Sequence, residues 1–330
     1  MIRPHLPQEW LALRAGLRAR SAAGHARATS AGVRWLGAVT VLVAVIAIIY
    51  LALRRCDCIA RQYDDSYITF RYARNFARGL GLVFNPGDRT DSASSFLYTM
   101  LLALLDRLGF HDLPRVAASI GVLCAGVVAA GVYLAALERT RRALLSWLLA
   151  LLVGTHGLIA GWSVSGMETL LFSALITTAV YRLFVQRAFG WTEAALVLLC
   201  VLTRFESALL AVSYLALAGA RFVSSDRAGR RRVLWQVLAL GAGNIAFLAY
   251  KYALYGTLIP HAFALKTITR LYAPNPHSLW LVWREQAPLL LLLAAAGLFS
   301  LPRGPESWGL RLFCVASVIS VCTGPFSDWA

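Results

Sequence analysis

Residues 35–53 read WLGAVTVLVAVIAIIYLAL, an apolar stretch of 19 residues without a single charge. A helix needs about 20 such residues to cross the hydrocarbon core of a bilayer. A secretory signal peptide has a shorter apolar region that is followed by small residues at a cleavage site. Here Arg54 and Arg55 follow instead. We therefore predict that this stretch is an uncleaved first transmembrane helix.

The composition of the whole chain agrees with that prediction. Hydrophobic residues make up 59% of the 330 residues and charged residues 15%, whereas soluble domains have about 45–50% and about 25%. The net charge is +16, but the basic residues lie mainly in short segments between apolar stretches. In that position they set the topology and meet anionic lipid headgroups. These features favour an integral membrane protein, with the bilayer and not nucleic acid as its partner.

The other apolar stretches indicate how the chain is organised. We expect an all-α, multi-spanning membrane domain over residues 35–330, preceded by a basic cytoplasmic segment over residues 1–34. The apolar stretches after the first lie at 94–105, 115–137, 143–162, 169–185, 192–203, 205–220, 233–254, 286–301 and 310–326.

The positions of the arginine clusters favour one topology. Positive residues stay on the cytoplasmic side if residues 94–105 only dip into the membrane, while 143–162 forms one full span. The stretches on either side of Arg204 must then be two half-length helices that meet at this residue. With the N-terminus in the cytoplasm, residues 54–93 lie on the outer face of a plasma or inner membrane.

The first outer loop contains a predicted amphipathic helix. Residues 67–78 fit a helix that Asp65 or Ser66 caps and Gly79 ends. At about 100° per residue, three arginines fall within an arc of about 60°, and apolar residues lie opposite. The arginines are Arg71, Arg74 and Arg78. The pattern predicts a helix lying in the membrane interface, with a place for a phosphate next to two carboxylates.

Ionisable residues also interrupt the apolar stretches, at Glu168, Arg204, Glu206 and Lys251. Such residues are costly at membrane depth, so they usually line a polar cavity or pair with each other. A mutual ion pair between Arg204 and Glu206 is one interpretation. His261 and Lys266 follow in another predicted outer segment, so several segments bring polar candidates to one membrane face.

Several sequence blocks resemble a known family. Residues 64–75 (DDSYITFRYARN) and 81–87 (GLVFNPG) resemble the first outer loop of the GT-C membrane glycosyltransferases. The pattern is similar to the branch of arabinofuranosyltransferase-like and mannosyltransferase-like enzymes that use polyprenyl-phosphate sugars. Further blocks of that branch follow in the same order: SGMET at 165–169, TRFE at 203–206, and YGTLIPH at 255–261 with Lys266.

The resemblance implies a GT-C helix bundle and a reaction. Such enzymes transfer a sugar, with inversion, from a polyprenyl-phosphate donor to a hydroxyl of a cell-envelope glycan or glycolipid on the outer face. Loop 54–93 would be catalytic, with Asp64 or Asp65 as the base that takes the hydroxyl proton. Positive charge must stabilise the departing phosphate, and the candidates are Arg71, Arg74, Arg204, His261 and Lys266. The candidates for the substrate cavity are Tyr67, Glu168 and Glu206.

Several alternatives stay open at this stage. We expect no required cofactor and assign no metal ligand, because arginines can take the place of a metal beside one lipid phosphate. A divalent cation held by Asp64 and Asp65 is the alternative. A broken helix with a charge at its apex is also typical of transporters, so a transporter or lipid flippase is a second hypothesis. A third is a truncated, non-catalytic GT-C homologue, since residues 327–330 resemble the start of a further family block.

Overall fold

A computed structural model describes residues 32, 34–53, 62–93, 95–204, 207–258 and 311. About 80% of this described part is helical, and it contains no strand. The predicted all-α fold is therefore confirmed for these residues. The predicted segment 1–34 and the apolar stretches 286–301 and 310–326 lie almost entirely outside the described residues.

Three described helices are long and apolar enough to cross a membrane. They are α1 (Arg34–Leu53), α4 (Leu113–Thr140) and α10 (Arg227–Tyr255). Each has at least the roughly 20 residues that a bilayer core requires. The helices indicate membrane association, and the direction in which they cross stays a prediction.

The stretch 143–162, which we predicted to form one full span, is broken in the structure. It forms α5 (Ala143–Gly154) and α6 (Gly157–Ser163), which are bent by 55° relative to each other. His156 lies in the break and caps α6, since its Nδ1 accepts the Leu158 N–H at 3.3 Å. With this pair counted as one crossing, the described residues have up to four spans.

One hydrophobic core joins α1 to α4. Val41, Val45 and Ile49 recur every four residues along one face of α1 and are buried against small residues of α4. At Gly126 of α4, an added Cβ would lie 3.1 Å from Leu42 and Ile46. Small residues of this kind let two membrane helices approach closely.

Shorter apolar helices form a second core with α10. They are α7 (Thr169–Val180, extended by a π-helical turn over Tyr181–Val185), α8 (Trp191–Thr203) and α9 (Ala208–Ser224). Arg204 follows α8 with extended backbone (φ −147°, ψ 136°). The predicted break at this residue is confirmed, although α9 has 17 residues and is longer than the half-length helix that we predicted.

The helix of the first predicted outer loop starts earlier than its pattern indicated. Helix α2 runs from Asp64 to Ala77, so it includes both aspartates in its first turn. Its apolar side faces protein instead of lipid, because Phe70 and Ala73 pack on α3 (Phe96–Arg107) and the start of α4. Helix α3 is the segment that we predicted to dip into the membrane, and with 12 residues it is short for a span.

The end of α10 is attached to the segment that follows α2. Lys251 forms an ion pair with Asp91 (Nζ to Oδ2, 2.7 Å), and both side chains are largely buried. The buried Tyr255 hydroxyl donates to the Leu82 carbonyl at 2.8 Å. The expectation that an ionisable residue within an apolar stretch finds a partner is confirmed at Lys251.

Weakening this ion pair is expected to destabilise the fold. In Asp91→Asn the amide still accepts from Lys251, but the ammonium loses its compensating charge in a buried site. We expect a loss of about 1.5–3 kcal/mol in the free energy of unfolding, measured by thermal unfolding in detergent. Asp88→Asn, in the same segment but exposed, is the matched control, and equal stability of the two variants would contradict the prediction.

Candidate functional site

The two aspartates lie at the beginning of α2. The N-cap is Tyr63, which has extended backbone (φ −64°, ψ 142°) and makes no side-chain cap, so the predicted cap at Asp65 or Ser66 is wrong. Asp64 Oδ1 accepts the Asp65 N–H at 3.0 Å. Both carboxylates are exposed, and the positive end of the helix dipole favours their charge.

The loop between α6 and α7 contacts this helix start. The Tyr63 N–H donates to the Ser165 carbonyl at 3.1 Å. Gly166 has a left-handed φ of +78°, and a Cβ at this position would lie 2.8 Å from Cβ of Ser66. The blocks around residues 64 and 165 are therefore in direct contact, and Gly166 permits their close approach.

Tyr98 of α3 also contacts the loop between α6 and α7. Its hydroxyl donates to the Gly166 carbonyl at 3.2 Å, and the side chain is 1% exposed. Burial, with a smaller contribution from the negative charge of Glu168, raises the pKa of the Tyr98 phenol above its usual range. The hydroxyl consequently stays protonated at any physiological pH and remains a hydrogen-bond donor.

Glu168 and Arg204 form an ion pair at the break between α8 and α9. Arg204 Nη1 donates to Glu168 Oε1 at 3.0 Å. The Glu168 side chain is 1% exposed, and its Oε2 has no hydrogen-bond partner among the residues that the structure describes. The Arg204 side chain is 33% exposed, so a buried carboxylate holds a guanidinium that reaches the surface. Arg204 therefore pairs with Glu168, while Glu206 lies outside the described residues.

The arginines of α2 bind neighbouring backbone. Arg71 donates from Nε to the Phe84 carbonyl at 2.8 Å and from Nη2 to Asn85 Oδ1 at 2.7 Å. Its guanidinium also lies 4.4 Å from the centre of the Phe84 ring. Arg74 donates to the His111 carbonyl at 3.2 Å. Both side chains thus hold adjacent turns in place, with further N–H groups left on each guanidinium.

The structure brings together the start of α2, the 165–168 loop and Arg204. Tyr67 lies one turn beyond Asp64 and is 50% exposed. His261 and Lys266 lie outside the described residues. Within the described ranges, no group of three or more His, Cys, Asp or Glu side chains could hold a metal ion, and the cation at Asp64 and Asp65 stays an alternative that is not tested.

Other residues of the site were not predicted from the sequence. Tyr98 lies within an apolar stretch, and nothing in its local pattern marks a contact with a loop 68 residues away. Gly166 carried a signal, because glycine adopts positive φ more readily than any other residue and this one lies in a short connection between two apolar stretches.

Comparison of the chain with protein-family models, with curated proteins and with solved structures finds no match in any of the three. The function must therefore be inferred from the geometry of the described residues and from the sequence blocks that they contain.

Proposed function

We propose that the chain is a membrane glycosyltransferase of GT-C type. It transfers a sugar, with inversion, from a polyprenyl-phosphate donor to a hydroxyl of a cell-envelope glycan or glycolipid on the outer face of the membrane. One observation carries the proposal: three blocks that resemble the family, far apart in sequence, meet in space. The carboxylates of the first begin a helix that contacts the second, whose Glu168 pairs with Arg204 of the third.

Asp64 is the proposed catalytic base. It accepts the proton of the acceptor hydroxyl while that oxygen attacks the anomeric carbon of the donor sugar. The bond between this carbon and the phosphate oxygen breaks as the new glycosidic bond forms, and the polyprenyl phosphate leaves with the electron pair. Attack from the side opposite the phosphate produces inversion. Asp65 is the second candidate, since both carboxylates are exposed in the first turn of α2.

Arg204 is the proposed main ligand of the departing phosphate. A guanidinium held by a buried carboxylate is already oriented, so it loses little freedom when it binds an anion. Arg71 and Arg74 are further candidates through the N–H groups that their backbone contacts leave available. His261, Lys266 and Glu206 keep their proposed roles, and Tyr67 keeps its place in the substrate cavity.

The apolar helices support a lipid-linked donor. A polyprenyl tail stays in the bilayer while its phosphosugar head enters a polar site, so the site must lie at the membrane boundary. The three long helices provide the membrane association. The site itself is built from the short α2 and from the ends of other helices, a position compatible with the boundary.

Replacing Arg204 with lysine is expected to weaken donor binding. Lysine keeps the positive charge and can still pair with Glu168, but it lacks the planar set of N–H donors that fits a phosphate. We expect the KM for the donor to rise about tenfold, with little change in the KM for the acceptor. Arg115→Lys is the matched control, because Arg115 also pairs with a carboxylate, that of Asp112 at 3.2 Å. An unchanged donor KM in Arg204→Lys would remove Arg204 from the phosphate site.

The break at Arg204 also fits a transporter or lipid flippase, because broken helices frequently carry the substrate sites of transporters. One assay separates the two functions. Proteoliposomes are loaded with radiolabelled polyprenyl-phosphate sugars, and label is followed both in soluble glycan acceptors and across the bilayer. Label in the acceptor supports the transferase. Movement of intact donor across the bilayer without any transfer would replace it with the transporter.

A further inference from the structure

Two aromatic rings form a stacked pair beside the carboxylates of α2. The rings of Tyr63 and Trp162 lie 5.5 Å apart between centroids, with 26° between their planes. Tyr63 directly precedes Asp64 and is 45% exposed, so part of its surface is open beside the proposed base. Tyr67 adds a third ring, 50% exposed, one helical turn further on.

The pair is held at a fixed position. Tyr63 is the N-cap of α2, and its N–H donates to the Ser165 carbonyl. Trp162 belongs to α6, which ends one residue later at Ser163. At Gly121, an added Cβ on α4 would lie 1.9 Å from the Ser163 carbonyl oxygen, so α6 and α4 are in close contact here. The two rings consequently join α2 to α6 next to the 165–168 loop.

The chemistry of this surface fits a sugar ring. One face of a sugar carries C–H groups, which pack against an aromatic ring, while its hydroxyls donate to carboxylates at the rim. Tyr63 and Trp162 supply the rings, and Asp64 and Asp65 supply exposed acceptors. The same two carboxylates repel a lipid phosphate, so the surface suits a neutral, hydroxyl-rich ligand better than a phospholipid headgroup.

We propose that the stacked pair of Tyr63 and Trp162 binds a sugar ring of the acceptor. This inference rests on the proposed function, because the base must contact the hydroxyl that it deprotonates, and the acceptor must then lie against Asp64. The phosphate of the donor lies at Arg204, next to Glu168. The ring pair thus orients the acceptor, and it contributes to the choice of acceptor glycan.

The test uses the full chain in nanodiscs and compares Tyr63→Ala with Tyr63→Phe. Steady-state transfer is measured with a polyprenyl-phosphate sugar and with soluble arabino- and manno-oligosaccharides as acceptors. We expect Tyr63→Ala to raise the acceptor KM about 3–10-fold at an unchanged donor KM. Tyr63→Phe, which keeps the ring, should retain most of the acceptor affinity that Tyr63→Ala loses. A rise in the donor KM alone would assign the ring to the donor sugar and overturn the acceptor assignment.

A binding measurement keeps the inference testable if the proposed reaction fails. Calorimetric titration of the oligosaccharides into wild type and Tyr63→Ala needs no turnover. Binding that the variant weakens supports the sugar site even if wild type transfers no label, in which case only the proposed function is lost. The sugar site would be overturned if the oligosaccharides bound the wild type and the variant equally, or bound neither. It would also be overturned if the only defect of the variant were poorer insertion into nanodiscs, and the rings would then be a membrane anchor.

Discussion

Replacing Asp64 with asparagine is expected to lower kcat for sugar transfer by about 10²–10⁴-fold. The amide has nearly the same shape as the carboxylate, but it cannot take the proton of the acceptor hydroxyl. The side chain is exposed, so the variant should fold and insert as the wild type does. The measurement is the initial rate of label transfer at saturating donor and acceptor, with unfolding temperature as the check on folding.

Two further variants define the role of each carboxylate. Asp65→Asn is also expected to lower the rate of transfer strongly, because Asp65 is the second candidate for the base. Asp88→Asn is the control, since its carboxylate is exposed and accepts from the Thr90 hydroxyl within its own turn. Normal transfer by both Asp64→Asn and Asp65→Asn would contradict the assignment of the base to this helix start.

Gly166→Ala is expected to destabilise the site and the fold together. The new Cβ would lie 2.1 Å from Gln62 Oε1 and 2.8 Å from Cβ of Ser66, at a backbone φ of +78°. The Gln62 side chain can rotate, although that would cost its hydrogen bond to the Pro114 carbonyl, whereas Ser66 moves only with α2. Overpacking and a left-handed alanine together cost roughly 2–5 kcal/mol.

The measurement is thermal unfolding in detergent, combined with the transfer rate of the fraction that remains folded. Alanine variants at two other glycines separate the effect of overpacking from that of the left-handed backbone. Gly87→Ala has a similar φ of +86° with nothing within 4 Å, and Gly161→Ala adds a Cβ in open space within α6. If Gly166→Ala is no less stable than Gly87→Ala, the close contact between α2 and the 165–168 loop is not as described.

The sequence predicted the structure best where any other arrangement of the same residues would cost much free energy. Long apolar stretches predicted α1, α4 and α10. The charge of Arg204 between two short stretches predicted a helix break, because an arginine in the middle of an uninterrupted span is costly. The same reasoning predicted that Lys251 finds a partner.

The identity of the partners could not be predicted. Lys251 and Asp91 are 160 residues apart in sequence, and no local pattern encodes a contact over such a distance. Arg204 pairs with Glu168, which lies 36 residues earlier and which the start of α7 brings to it. The amphipathic pattern of α2 was recognised, but periodicity alone does not tell whether an apolar face meets lipid or protein.

The central claim is that this site moves a sugar from a lipid phosphate to an acceptor. Its most direct test follows both products of purified wild type in nanodiscs, with a doubly labelled polyprenyl-phosphate sugar and a glycan acceptor. We expect sugar label to enter the acceptor in step with the release of polyprenyl phosphate, one for one. Folded protein that binds the donor but releases no polyprenyl phosphate, or releases it with no label in any acceptor, would contradict it.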